Sequence, residues 1–494
     1  MQLEDGLFGA AKAQELKIYY ASLFMVLAVI LVPLWLVTYP GMVDYPNHLA
    51  RCYIVAHCHD NPLWQQLYIL DRQPLPNLAI DLIVTPMLRF LPLIVCGKIF
   101  LSLAAVLYVV GCGEAGRAII GRPNWLALIC AFTFYNSSLL YGFVNYVFGI
   151  GVFLCVLAFW LRIRNAMTPF RFVVCCFLSF AAYLAHLSSL VFLGVACVTI
   201  ALLDFARDRK GRDLIIKTVW LGCPLLFLGG FVKKHSGQVG TIDWGSPSEK
   251  LITLLAPVSS YSWAMYAGMI VVLAVCGWVV LRGSSIRNTA LVSAVLFALV
   301  LVTPKALLTN TASGADERYV IPAYLLLMLS IEPRWGRWQK LALGVALSAM
   351  LVHTESITAN WLAISHRSEQ VLEMGNTLPQ GARVYALSSG SGSGLQSKLD
   401  RGLIHVIQFW TVSHGAEISN LFAIPGSQPL VFRSQPCEGP EWTECLSTYD
   451  YIWTDSLSAS MRPFVLQIAT PIATSESATL WRVNKSLSVG PVFP

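Results

Sequence analysis

Three ionisable side chains lie close together after the first apolar segment, in GMVDYPNHLARCYIV. If the chain is helical from Pro46 onward, His48 and Arg51 share one helix face, and Asp44 lies where the helix begins. A carboxylate, an imidazole and a guanidinium at a membrane surface can exchange protons and bind anions. In the simpler alternative, Asp44 caps the helix and Arg51 extends to a lipid phosphate.

Two later segments carry further candidates. His186 lies in AAYLAHLSSL between two short apolar runs, where the alternative is a histidine satisfied by a backbone carbonyl. Lys305, Arg318 and Tyr319 lie in PKALLTNTASGADERYVIPAY, at the mouth of two apolar runs. Because arginine binds phosphate through a planar fork and lysine acts as a point charge, this pair suits an anionic lipid head group. The alternative is anchoring at the interface.

A long polar loop separates two of the apolar runs, from Val232 to Trp263. Its ionisable residues include Lys233, Lys234, His235, Asp243 and Glu249. The amphipathic stretch LITLLAPVSSYSW within it predicts an interfacial helix or a lid. We assign no chemical role to this loop.

Composition places these residues in a membrane protein. Of 494 residues, 56% are hydrophobic and only 12% are charged, against about 25% charged in soluble domains. The mean hydropathy is +0.62. The net charge of +7 comes from Lys and Arg in short loops between apolar runs, where they set orientation, and does not indicate nucleic acid binding.

The apolar runs predict about eleven membrane-spanning helices. The runs cover Ile18 to Thr38 and residues 93–112, 125–141, 143–161, 172–186, 187–203, 214–231, 263–281, 289–303, 319–331 and 341–359. Lys and Arg concentrate in alternate loops, which marks those loops as cytoplasmic. The other loops and everything after residue 360 are then extracytoplasmic, and the first outer loop covers residues 40–92.

Residues 360–494 differ in character from the apolar region, residues 1–359. Short alternating runs, ARVYAL, QPLVF, YDYIWT and ATLWRV, are separated by Gly, Ser and Pro and predict a small α/β domain. SSGSGSG, residues 388–394, is typical of a flexible loop. Cys437 and Cys445 can form a disulfide if this domain faces an oxidising compartment, and the sequence leaves that open.

This pattern resembles the GT-C superfamily of membrane glycosyltransferases, which contains the protein O-mannosyltransferases and the lipid A aminoarabinose transferases. Asp44 in DYPNHLAR resembles the acidic residue of their first outer loop. The ERY-x-x-P sequence formed by Glu317, Arg318, Tyr319 and Pro322 resembles a late outer loop that leads into a helix. The resemblance implies an all-α polytopic membrane fold with a small α/β extracytoplasmic C-terminal domain.

The resemblance also implies a function. The donor would be a sugar on a polyprenyl phosphate, the acceptor a lipid, glycan or protein hydroxyl, and the membrane a bacterial inner membrane with the C-terminal domain in the periplasm. Asp44 would be the general base of an inverting transfer, with His48 beside it. The phosphate would be bound by basic residues: Arg318, Lys305, Arg51 and His186.

The sequence departs from the family at one point. Many relatives carry a second acidic residue in the next outer loop, whereas FYNSSLLYGFVNY has no carboxylate. Asp81 is the nearest substitute, although a capping or structural role fits it equally well. A divalent metal therefore stays an open question. The expected contacts to sugar or acceptor are polar side chains near these loops: Tyr45, Asn136, Asn145 and Tyr319.

Three alternatives belong to other classes. An O-antigen-type glycan polymerase or ligase would use the large outer loop at residues 232–262. A transporter or flippase would show internal repeats and ionisable residues near the middle of the membrane, and neither is evident. A scaffold without catalytic activity would not require Asp44, His48 and Arg51 at one helix start.

Overall fold

The computed structural model describes most of the chain. The described residues are 2–227, 242–258, 261, 263–307, 312–387, 403–434, 448–455, 457 and 461–485. Lys233, Lys234, His235, the loop at 388–394 and both Cys437 and Cys445 lie outside these ranges.

Helices account for most of the described residues. In chain order they are α1 Gln2–Leu36, α2 Tyr45–His57, α3 Pro62–Leu67, α4 Ala79–Met87, α5 Leu93–Ile120, α6 Leu126–Phe132, α7 Ser137–Tyr141, α8 Val144–Ile163, α9 Pro169–Ala185, α10 Leu187–Asp208, α11 Gly211–Thr218, α12 Pro247–Thr253, α13 Trp263–Arg282, α14 Arg287–Val302, α15 Glu317–Leu329, α16 Arg337–Met374, α17 Phe409–His414 and α18 Arg462–Ile468. Within the described residues, five helices are long and apolar enough to cross a membrane, and four shorter apolar helices accompany them. The prediction of a multi-pass membrane protein is confirmed.

The predicted run at 125–141 is two short helices, α6 and α7, rather than one. Asn136 explains how the break is tolerated, because its side-chain nitrogen donates to the carbonyls of Thr133 and Phe134 at 2.9 and 3.1 Å. Its oxygen accepts from the Leu139 amide at 3.2 Å. Backbone groups freed inside an apolar region must be satisfied within the protein, and Asn136 does this.

Helices α5 and α8 pack closely because glycines face the contact. A Cβ on Gly151 would lie 2.8 Å from the backbone of Leu107, and one on Gly111 would lie 2.8 Å from the Leu154 side chain. Small residues allow membrane helices to approach closely, so that van der Waals packing replaces the hydrophobic effect that lipid cannot supply.

In chain order the strands are β1 Tyr68–Leu70, β2 Ser284–Ser285, β3 Ala306–Leu307, β4 Ala312–Ser313, β5 Ile331–Glu332, β6 Arg383–Leu387, β7 Glu417–Ile418, β8 Leu430–Phe432, β9 Tyr451–Thr454, β10 Ala469–Thr474 and β11 Thr479–Val483. The C-terminal region forms a five-stranded mixed sheet from five of them, in the order β10-β11-β9-β6-β7. β6 runs parallel to β7 and β9, whereas β11 is antiparallel to both β9 and β10. The predicted small α/β domain is confirmed. Helix α16 runs across residue 360, and the division at that residue stays a prediction.

One predicted strand of the C-terminal region belongs to a different sheet. β8, Leu430–Phe432, pairs antiparallel with β1, Tyr68–Leu70, from the first outer loop. Leu430 and Phe432 of β8 are buried in one hydrophobic cluster with Trp64 and Tyr68 of the first outer loop. The first outer loop and the C-terminal region are therefore packed together as one unit around α2.

Candidate functional site

Asp44 precedes α2 at its N-cap position, but its side chain makes no capping hydrogen bond. Its backbone amide instead donates to the Tyr141 carbonyl at 3.0 Å, which fixes the residue against the turn between α7 and α8. Pro46 lies in the first turn of α2, where a missing N–H is tolerated. The Asp44 carboxylate is thus free of the structural role that the alternative assigned to it, and 18% of its side chain is accessible.

The side chain next to this carboxylate is His405, from the C-terminal region. Its Nε2 lies 3.4 Å from Asp44 Oδ1. The sequence analysis did not identify His405, because it belongs to no motif. It is also far along the chain from α2: 358 positions separate it from Asn47, the α2 residue that its ring contacts. Only the packing of the C-terminal region onto the first outer loop brings the two side chains together.

Burial shifts the two groups in opposite directions. It raises the pKa of Asp44 to about 7, because the ionised carboxylate has lost solvent. Burial also lowers the pKa of His405 to about 4, so the imidazole is neutral near neutrality. A carboxyl with a pKa near the working pH, beside a neutral donor, is suited to accepting a proton from a hydroxyl.

His48 lies on α2, one turn after Asp44, and is buried. Its ring packs edge-on against Phe422 of the C-terminal region, with centroids 5.4 Å apart, and its Nδ1 has no hydrogen-bond partner within the described residues. Burial and, to a lesser extent, the charge of Arg51 keep the pKa of His48 well below its usual range. His48 is therefore a neutral neighbour of the site.

Arg51 forms a buried ion pair. Its Nε and Nη2 donate to the two carboxylate oxygens of Asp81 at 2.9 and 2.7 Å. The side chains of Arg51 and Asp81 are 0% and 6% exposed. This pair joins α2 to α4, and phosphate binding by Arg51 stays a prediction.

The turn between α7 and α8 connects Asp44 to Arg318. Gly142 in this turn has φ +91°, and a Cβ there would lie 2.6 Å from the Asp44 amide nitrogen. The next residue, Phe143, lies under the Arg318 guanidinium, with Cζ 5.7 Å from the ring centroid. Two predicted site residues that are 274 positions apart (318 − 44) thus contact the same turn.

Residues of α7 and α8 contact the first turn of α15, where Arg318 lies. The hydroxyl of Tyr146 donates to the Arg318 carbonyl at 2.6 Å, and Ser137 donates to the carboxylate of Glu317. The ring of His186 packs edge-on against Tyr146, with centroids 5.4 Å apart. His186 Nδ1 also accepts from the Ser188 amide at 3.2 Å and caps α10, which is a structural use of one ring nitrogen.

Lys305 bonds an acidic residue of the large outer loop. Its ammonium donates to Glu249, and this hydrogen bond lowers the pKa of Glu249 to about 2. The neighbouring Lys250 donates to Asp316 at 2.6 Å. Lys305 is therefore paired with Glu249. Phosphate binding by Lys305 stays a prediction.

The four expected contacts to sugar or acceptor have other partners or surroundings. The Asn145 side chain bonds the Ile80 amide at 2.8 Å and the Asn77 carbonyl at 2.5 Å. Asn136 is used at the break between α6 and α7, as described above. Tyr45 is buried near Gly97. The ring of Tyr319 packs against Phe192, with centroids 5.8 Å apart.

An apolar cavity of about 100 Å³ lies beside α15, the helix that carries Arg318. Residues of α6, α13, α15 and α16 line it, among them Ile129, Val272, Tyr324, Met328 and Met350. Among the described residues, no group of three or more His, Cys, Asp or Glu side chains is arranged to hold a metal ion.

The helix arrangement and the sheet define a polytopic membrane protein of GT-C-like fold. Two solved structures share it. ArnT from Cupriavidus metallidurans bound to undecaprenyl phosphate aligns with a TM-score of 0.54 at 12% identity, over 97% of this chain and 99% of that chain. The apo state of the same ArnT aligns with a TM-score of 0.54 at 11% identity, over 98% and 100%.

The TM-scores and the coverage show that the fold is shared, and the predicted GT-C-like architecture is confirmed over nearly the whole chain. No family model matches the sequence, and no curated protein is significantly similar to it. The likeness therefore lies in the three-dimensional arrangement.

Proposed function

We propose that this protein is a membrane glycosyltransferase that moves a sugar from a polyprenyl phosphate to a hydroxyl of a lipid, glycan or protein, with Asp44 as the general base. The observation that carries the proposal is the Asp44 carboxylate, which is partly exposed, makes no capping bond and has a pKa raised by burial, in a fold shared with an ArnT bound to undecaprenyl phosphate.

The proposed transfer has one displacement step. Asp44 accepts the proton of the acceptor hydroxyl as its oxygen attacks the anomeric carbon. The bond between that carbon and the phosphate oxygen breaks with inversion, and polyprenyl phosphate leaves with the electron pair. Positive charge near the leaving oxygen stabilises the transition state, since that is where negative charge grows.

Arg318 is the cation proposed for this role. Its guanidinium lies at Phe143, next to the turn that fixes Asp44, and its helix α15 borders the apolar cavity. A phosphate at Arg318 would leave the prenyl chain beside α15 in apolar surroundings. Donor head group and lipid tail would then lie along the same helix.

Arg318→Ala should lower the rate constant for transfer by about 10²–10³-fold, the usual loss when one stabilising donor is removed. Arg318→Lys should retain part of the activity, because a point charge remains without the planar fork. Turnover of a labelled polyprenyl-phosphate sugar measures both. Arg122→Ala is the control, since Arg122 forms an exposed pair with Glu332 whose contribution to stability is small. Wild-type turnover in Arg318→Ala would remove Arg318 from the proposed site.

The pH profile offers a separate test. Because a base must be deprotonated to act, kcat/KM should increase about tenfold per pH unit below the Asp44 pKa of about 7 and be constant well above it. Asp44→Asn should abolish this acidic limb. A profile in wild type that is flat across pH 7 would argue against Asp44 as the base.

We also propose that the protein resides in a bacterial inner membrane with its C-terminal region in the periplasm. The support is the alternation of Lys and Arg between loops, which retains basic loops on the cytoplasmic side. The packing of the first outer loop against the C-terminal region agrees with this, because both must then lie on one side.

A further inference from the structure

A hydrogen-bond network joins α2 to His405 of the C-terminal region, whose Nε2 lies 3.4 Å from Asp44 Oδ1. On α2, Asn47 Oδ1 accepts from the Phe422 amide at 2.6 Å, and its Nδ2 donates to the Asn420 carbonyl at 2.8 Å. These two bonds fix which end of the Asn47 amide is nitrogen. The nitrogen is also 3.1 Å from His405 Nδ1.

Asn420 makes a second contact with the same ring nitrogen. Its Oδ1 accepts from Gln408 Nε2 at 2.6 Å, and its Nδ2 lies 3.3 Å from His405 Nδ1. The Asn47 amide is the one that backbone groups orient, so its N–H group points at this ring nitrogen. His405 Nδ1 must then be an acceptor, because an N–H there would meet the Asn47 donor.

The tautomer of His405 follows from this arrangement. With Nδ1 as the acceptor, the ring proton of the neutral imidazole is on Nε2, and Nε2 is the atom 3.4 Å from Asp44 Oδ1. The second ring contact, with Phe422 at 5.3 Å between centroids, fixes the ring plane.

We propose that His405 of the C-terminal region is a positioning residue for Asp44: as a neutral imidazole it donates its Nε2–H to Oδ1 and leaves Oδ2 to accept the proton of the acceptor hydroxyl. This inference rests on the function proposed above. It makes the C-terminal region a part of the active site rather than an appended domain.

A neutral donor suits this task better than a cation. It orients the carboxylate and favours its ionised form without neutralising it, so Asp44 remains basic. Burial keeps the pKa of His405 at about 4, and protonation of Nδ1 would also break the bond from Asn47. The other ionisable groups close to this pair are His48, which is neutral, and Arg51, which is bound to Asp81.

The test compares substitutions at His405 in the full-length protein. His405→Ala should lower kcat by about 10–100-fold and move the acidic limb of the pH profile about one unit higher, because a lost donor disfavours the ionised carboxylate. His405→Gln should restore most of the activity and the wild-type limb, since its amide can donate to Asp44 and does not titrate near neutrality. His414→Ala is the matched control, because His414 lies in the same region and its ring contacts the neighbouring Ser413 hydroxyl, 2.7 Å from Nδ1.

Two outcomes would overturn the proposal. One is a His405→Ala variant that is as active as His414→Ala and whose pH profile keeps the acidic limb of the wild type. The other is a His405→Gln variant that is folded and as inactive as His405→Ala.

A second measurement is independent of activity and so separates this inference from the proposed function. In protein labelled with ¹⁵N-histidine, the His405 signals, identified by their loss in His405→Ala, should show a neutral ring protonated on Nε2 at pH 7, with Nε2 shifting in Asp44→Asn. A ring protonated on Nδ1, or signals unchanged by Asp44→Asn, would contradict the positioning role even if the protein transfers sugar. If the protein transferred no sugar but gave the expected spectrum, the contact between His405 and Asp44 would be supported and only the proposed function would be removed.

Discussion

Asp44→Asn should reduce sugar transfer by about 10²–10⁴-fold, the contribution typical of a general base. The asparagine has nearly the same shape and can still bond His405, so α2 and its contacts should be unchanged. The loss should appear in kcat, because the proton is transferred only in the transition state. The measurement is turnover of a labelled polyprenyl-phosphate sugar by the purified variant.

The matched control for this substitution is Asp60→Asn. Asp60 lies in the same outer loop but is exposed to solvent. The Asp60→Asn variant should transfer sugar at the rate of the wild type. If Asp44→Asn and Asp60→Asn were equally active, the general base would have to be sought elsewhere.

Removing one partner of the Arg51–Asp81 pair should lower the free energy of unfolding by about 3–5 kcal/mol, because the remaining charge is buried without compensation. Arg51→Met and Asp81→Leu are the single variants. Both side chains are nearly inaccessible in the structure, so water cannot replace the lost partner. Thermal and denaturant unfolding in detergent would measure the loss, and since α2 carries Asp44, activity should decline with stability.

The double variant Arg51→Met with Asp81→Leu distinguishes a buried pair from two independent contacts. Replacing both charges by apolar side chains removes the unpaired charge, so much of the stability should return. The 2.7 Å contact implies that the two side chains depend on each other. If the double variant lost the sum of the two single losses in free energy of unfolding, that dependence would be contradicted.

The sequence was informative about the helices and about the position of Asp44. Apolar runs are long and nearly continuous in a membrane protein, because lipid requires an apolar surface and an intact backbone ladder. Proline and polar residues after the first run likewise indicated a short helix, and α2 is found there. The break between α6 and α7 was not evident, because tertiary contacts rather than local apolarity decide where such a run bends.

The partners of the site residues were harder to predict. His405 contacts Asp44 because the C-terminal region packs onto α2 and pairs β8 with β1, and neither long-range contact has a local signal in the sequence. Asn145 lies near candidate loops, as a sugar-binding residue would, yet it bonds the backbone at Ile80 and Asn77. In apolar surroundings, the satisfaction of backbone groups accounts for polar residues as readily as function does.

The most direct test of the central claim is donor consumption by the purified protein in proteoliposomes that contain lipids extracted from its own membranes. A panel of undecaprenyl phosphates, carrying a labelled hexose, pentose or aminopentose, would be supplied, and free undecaprenyl phosphate would be measured. We predict release from at least one donor by the wild type and almost none by Asp44→Asn. Equal release by both proteins, or no release from any donor, would contradict the proposed function.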